Sequence, residues 1–195
     1  MKKKQSNTLD KFMVTSLDIK NSKLKQVKLP TGETVNIPRL AYKHFIKLKS
    51  LKDPNPEQIL STIIDEIKPR NLTRAETEFL MIHIFYHNNQ KDKKILDDIG
   101  INLDEMTITE PVYDFTFDNI RLVFDRATMK NSDIILLIKQ AFEDGKEIEL
   151  NDSKRVELIN SLYRYEIKQV ERGVLQEVYV VHEGDTITGF NIIGE

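Results

Sequence analysis

The 195-residue chain has no cysteine and no tryptophan, and only 7 glycines and 6 prolines. Without cysteine there can be no disulfide, no thiolate nucleophile and no Cys-bound zinc or iron–sulfur site. The few glycines are scattered, and neither Gly-x-Gly-x-x-Gly nor Gly-x-x-x-x-Gly-Lys occurs, so no phosphate-binding loop is present. Long apolar runs are missing as well. The longest unbroken aliphatic stretch, Ile134-Ile135-Leu136-Leu137-Ile138, is far short of the roughly 20 residues that a membrane-spanning helix needs, and no membrane partner is expected. Lys2-Lys3-Lys4 imitates the start of a signal peptide, but Gln5, Ser6, Asn7, Thr8, Asp10 and Lys11 leave no room for its apolar segment. The protein is expected to stay in the compartment where it is made.

What is present is a charged fraction of 31% beside a hydrophobic fraction of 39%, enough for one substantial core or two small ones. The charge is unevenly placed. Residues 1–28 hold eight Lys and two Asp, a net +6, so the remainder of a chain whose total is −2 carries −8. A basic arm can bind phosphate backbones, but nucleic-acid domains usually carry a basic face throughout, and this body is acidic. The plainer reading is a solvated or partner-ordered tail, with a nucleic-acid-associated accessory protein as an alternative. Lys (21) exceeds Arg (8) and Ile (23) exceeds Leu (19), a bias compatible with an AT-rich genome.

Along the chain, Leu24 to Ile37 alternates around Pro30-Thr31-Gly32 and predicts a β-hairpin. Helices are expected after Pro38 to Ser50 and over 56–68, the second stopped by Pro69. Thr73-Arg-Ala-Glu76 is a capping box that opens a helix to about Asn88, and Phe79 to Tyr86 is apolar on nearly every side, which predicts a central, surrounded helix. Residues 90–105 read as loosely structured. Strands are expected around the Asp118-Asn119 turn, a helix from Ile134 to about Glu143 capped by Ser132-Asp133 and ended by Gly145, and a further helix from Asp152 or Ser153 to Gly173. Glu177 to Phe190 reads as a terminal hairpin. The expected architecture is α+β, predominantly helical, with an N-terminal β-hairpin, a few central strands and a C-terminal hairpin. Its divisions are a basic flexible arm over 1–25, a hairpin plus helical half over 26–105 and an α+β half over 106–195, packed as one unit.

Candidate chemistry is thin. His83 and His87 stand four apart on the central helix and so share a face, as helical metal ligands do, but Ile-Phe-Tyr between them lacks the Glu that zinc hydrolases place beside the first His. They are the weak metal candidates of an alternative reading, a small metal-dependent hydrolase; the plain reading is a core or boundary pair of hydrogen-bonded imidazoles. His44 and His182 have no Gly-x-Ser-x-Gly turn to serve. Acid pairs such as Asp97-Asp98, Asp104-Glu105 and Glu147/Glu149 sit in solvated loops and strand edges. No catalytic residue and no cofactor is assigned. Binding surfaces remain: Val178, Tyr179, Val180 and Val181 have low charge and high β-propensity, and at a sheet edge they could pair with another chain. The competing reading is that they cover this protein's own core.

The order of elements resembles a known family. Lys28-Leu-Pro-Thr-Gly-Glu with Ile37-Pro-Arg, Leu72-Thr-x-x-Glu76 opening a Phe/Leu/Ile-rich helix, Asn119-Ile-Arg-Leu-Val-Phe, Ile134-Ile-Leu-Leu-Ile-Lys-Gln-Ala-Phe-Glu with Gly-Lys-Glu-Ile, and Glu157-Leu-Ile-Asn-Ser-Leu together resemble the baseplate hub proteins of T4-like contractile-tailed phages. The likeness runs from about Gln26 to Val181. After the central helix, where that family commonly has Arg-x-x-Ser-x-Gly, this chain has His87-Asn-Asn-Gln-Lys-Asp. The resemblance implies a non-enzymatic hub subunit, or a chaperone of hub and tape-measure assembly. It implies other baseplate hub proteins and the tape-measure protein as partners, with residence in the host cytoplasm during assembly and possible incorporation in the tail baseplate.

Overall fold

The alternating runs beside Pro30-Thr31-Gly32 pair as an antiparallel hairpin in the computed structural model, which describes residues 23–41, 56–68 and 70–193. Its strands are β1 (Leu24–Lys28) and β2 (Thr34–Pro38). Gly32 takes φ +91° and donates its N–H to the Leu29 carbonyl at 2.8 Å, a conformation that favours glycine. Val27, Leu29, Val35 and Ile37 point inward. Most of the arm expected over 1–25 (1–22) and most of the helix expected from after Pro38 to Ser50 (42–50) lie outside the described residues.

Helix α1 (Pro56–Ile67) and helix α2 (Arg74–Asn88) follow. The capping box forms: the Thr73 hydroxyl accepts from the Glu76 N–H at 3.1 Å, and the Glu76 carboxylate accepts from the Thr73 N–H at 2.8 Å. Ala75, Phe79, Leu80, Met81, Ile82, Ile84 and Tyr86 are buried on every side of α2, as an apolar helix in water requires. Polar side chains then bind other segments to it. The Arg70 guanidinium donates to both Glu76 oxygens, at 2.6 and 2.9 Å, and to Glu33 at the hairpin tip at 2.7 Å. Asn88 accepts from the Leu40 N–H at 2.6 Å and donates to the Pro38 carbonyl at 3.2 Å. Tyr86 donates its hydroxyl to the Ile192 carbonyl at 2.7 Å, holding the C-terminal 3-10 turn.

Residues expected to be loose instead form helix α3 (Gln90–Asp98) and a 3-10 turn (Leu103–Glu105). Leu96 buries beneath α3, and Lys93 pairs with Asp97 one turn on at 2.7 Å. The chain then leaves this first core. Strands β4 (Asp114–Phe117), β5 (Ile120–Phe124), β6 (Ile138–Glu143) and β7 (Lys146–Glu147) form an antiparallel sheet in that order. Helices α4 (Ile134–Leu137), α5 (Asp152–Ser161) and α6 (Arg164–Leu175) close a second core around Leu122, Phe124, Leu137, Ile138, Leu158 and Val170. After Glu177 the chain returns: β8 (Val178–His182) lies between β9 (Asp185–Thr188) and β3 (Thr107–Ile108). Val178, Val180 and Ile192 bury with α2, so residues from the far end of the sequence complete the first core.

The expectation of a predominantly helical protein is therefore corrected. The described residues hold nine strands in three antiparallel sheets beside six helices, within an α+β architecture. The largest change is at 134–143. Asp133 does cap a helix, its carboxylate accepting from the Ile135 N–H at 2.9 Å, but the helix lasts four residues. Ile138 to Glu143 pairs with β5 instead, and Asp144-Gly145, at φ +49° and +77°, is the two-residue hairpin turn to β7 and not a helix terminus. The helix expected through 152–173 is interrupted at Leu162, because the Glu166 carboxylate accepts the Tyr163 N–H at 2.7 Å and starts a new helix there.

The sheet and α6 meet at Gly173. A Cβ at that position would lie 2.7 Å from Phe115 Cζ and 2.9 Å from Val112 Cβ, and the Gly173 carbonyl accepts from the Val112 N–H at 3.2 Å. Gly173→Ala should gain helix propensity and still lose stability, by about 1–3 kcal/mol, because α6 must move off the sheet. Chemical denaturation checks this, with a lower midpoint expected for the variant.

Candidate partner-binding surface

The strand expected to bind partners sits in the middle of its sheet. Tyr179 to His182 pair with β9, and Val178 and Tyr179 also pair with β3. Alternation divides the four candidate residues. Val178 and Val180 face α2 and are buried, whereas Tyr179 is half-buried and Val181 is 55% exposed on the opposite face. Across the strands, Tyr179 stands opposite Thr107 and Thr188, and Val181 opposite Thr186. The outer face of β3-β8-β9 thus has a small apolar centre with threonines around it. Of the four residues, Tyr179 and Val181 are the accessible ones; the other two stabilise the protein itself.

The histidine pair lies elsewhere, on α2. His83 is 5% exposed and packs against Phe79 at 4.7 Å between ring centroids. Among the described residues, His83 Nδ1 and His87 Nε2 are buried without a hydrogen-bond partner, unlike the bonded imidazoles of the plain reading. Burial pushes the His83 imidazole down to about 4, helped by Lys25 and opposed by Asp104. His87 is lowered by burial, Lys25 and Arg39. Among the described residues no three His, Asp or Glu side chains gather as metal ligands. Glu76, the carboxylate on the same helix, is committed at its other end to Arg70 and Thr73. Sequence spacing could place the two imidazoles on one helix face but could not show that the face is enclosed.

Comparison with known proteins supplies the context. A family model described as baseplate hub distal subunit matches residues 37–135, about half of the chain. The chain belongs to that family. The match runs from the end of β2 through α1, α2, α3, β4 and β5 to the start of α4, so it covers the first core's helices and both histidines but not β8. The baseplate hub assembly protein gp28 of Enterobacteria phage T4 is 34% identical over 89 residues, 45% of this chain and 49% of that protein. The match thus spans about half the length of that curated relative. No solved structure matches. The resemblance read from the order of elements is the family found, a baseplate hub family of T4-like phages. No described helix is long and apolar enough to cross a membrane.

The buried His83 makes a pH prediction. Its folded-state proton affinity is lowered, so its contribution is fully present above the ordinary histidine value of 6.5 and is lost as pH falls towards 4, when only the unfolded chain takes up the proton. Over that window the wild type should lose roughly 3 kcal/mol relative to a His83→Leu variant. Melting temperatures of both proteins between pH 7 and pH 4 measure it; parallel pH profiles would show that His83 contributes nothing.

Proposed function

We propose that this protein is a non-enzymatic baseplate hub component that acts by holding other hub proteins, and that it engages the tape-measure protein during tail assembly. The observation that carries this reading is membership of the baseplate hub distal subunit family, supported by the likeness to a T4 protein whose name describes hub assembly. The outer face of β3-β8-β9 offers a suitable contact: Tyr179 and Val181 present an aromatic and an aliphatic anchor amid threonines, on a sheet whose other face is fixed to the first core. An assembly role places the protein in the host cytoplasm while tails form, and a hub-subunit role keeps it in the finished baseplate.

Co-expression with the hub proteins and the tape-measure protein of the same phage, followed by gel filtration, tests the proposal. A stable complex is expected, and Tyr179→Lys with Val181→Asp should weaken it by about tenfold or more without unfolding the chain. Persistent separate elution from every such partner would contradict it. Mass spectrometry of purified virions separates a resident subunit from a factor that departs.

A further inference from the structure

Helix α3 ends without the cation that its dipole favours. Asp92 stands in its first turn among Lys91, Lys93 and Lys94, but Asp97 and Asp98 end it and its last turn has no basic residue. Asn89 provides no side-chain cap, and Leu96 is its single buried residue. Ile95 and Ile99, one turn apart on the outer face, are 61% and 54% exposed. Within six residues of Ile99 in the chain lie the exposed carboxylates of Asp98, Asp104 and Glu105, and among the described residues neither Asp98 nor Asp104 has an ion-pair partner. The acidity is regional: residues 95–120 contain seven Asp and Glu and no Lys, Arg or His. An exposed isoleucine pair with anionic side chains nearby in the chain, at a helix end that lacks a cation, calls for a basic segment with apolar side chains.

The chain contains such a segment. Residues 1–22 carry five Lys and two Asp, and Leu9, Phe12, Met13 and Leu17 are spaced as one helical stripe between Lys4 and Lys20. Its point of attachment is also suitably placed. Lys25 of β1, at the base of the arm, and Asp104 of the 3-10 turn both act electrostatically on the buried His83 imidazole. Seven steps along the chain lead from Leu17 to Leu24, a reach of up to about 23 Å when extended.

We propose that the outer face of α3, Ile95 and Ile99 with Asp98, Asp104 and Glu105, is the docking surface for this chain's own N-terminal arm, residues 1–22. The docked lysines supply the cations missing from the C-terminal end of α3, and the apolar stripe covers the isoleucine pair. Docking within one chain raises the effective concentration of the arm, so individually weak contacts suffice. This inference does not depend on the hub-assembly reading.

Hydrogen exchange of the full chain tests it, read on peptides covering residues 1–22 and 90–99. In the wild type, both should exchange about tenfold slower than in an Ile95→Asp/Ile99→Asp variant, and both should be released by high salt. A second variant leaves the described core untouched: Lys2, Lys3, Lys4 and Lys11→Glu should abolish the protection, and adding Asp98→Lys and Asp104→Lys to it should restore it. Exchange of residues 1–22 at free-peptide rates in the wild type would overturn the proposal. So would protection unaffected by either variant, or protection that grows with protein concentration as the chain dimerises, which would assign the face to a second copy.

Discussion

A buried carboxylate organises the first core. The Glu76 side chain is 4% exposed, and burial alone would raise its proton affinity; the Arg70 hydrogen bonds and the Thr73 N–H reverse that and hold it below the ordinary carboxylate range. A charge removed from water is tolerated only if its partners are in place, so Glu76 dictates the position of everything that satisfies it. Thr73 must be its N-cap, Arg70 must fold back over the first turn of α2, and through Arg70 the hairpin tip is drawn in by Glu33. Thr31 adds a weak contact, its hydroxyl 3.5 Å from the same carboxylate. The guanidinium is about a third exposed, which screens the pair partly and leaves most of the penalty on the carboxylate.

With that end of α2 fixed, the remaining layout follows along the helix. Asn88 fixes the chain leaving β2, Tyr86 fixes the C-terminal turn, and the apolar sides receive the hairpin, α1 and β8. The second core is attached to this spine by a backbone hydrogen bond from the Arg74 N–H to the Ala127 carbonyl at 2.9 Å. Such an arrangement leaves the outer faces of α3 and of β3-β8-β9 clear of the core, where a protein of a baseplate hub family has room for neighbours.

How much of this was legible depended on the range of the interactions. The N-terminal hairpin, the capping box and the surrounded central helix are local patterns, and Pro30-Thr31-Gly32, Thr73-x-x-Glu76 and the run Phe79 to Tyr86 showed them directly. Residues 134–143 resemble a helix in sequence because the cap signal of Asp133 is genuine, while the competing signal, a β5 strand needing a partner, lies in another part of the chain. Asp144-Gly145 suits a helix terminus or a hairpin turn, and only the pairing decides. For the candidate surface, alternation could have sorted Val178 and Val180 from Tyr179 and Val181, but which pair faces inward required α2 to be in place. Arg70 carried no sequence signal at all, since its partners are 6 and 37 residues away.

The dependence of the first core on the Glu76 charge is measured most directly by a double-mutant cycle between Arg70→Met and Glu76→Gln, the latter keeping an acceptor for the Thr73 N–H. If a buried carboxylate held by Arg70 organises the core, Arg70→Met alone costs about 3 kcal/mol in urea unfolding, and once Glu76→Gln is present it costs little, a coupling of about 2 kcal/mol. Losses that simply add, or an Arg70→Met change near zero, would contradict the account.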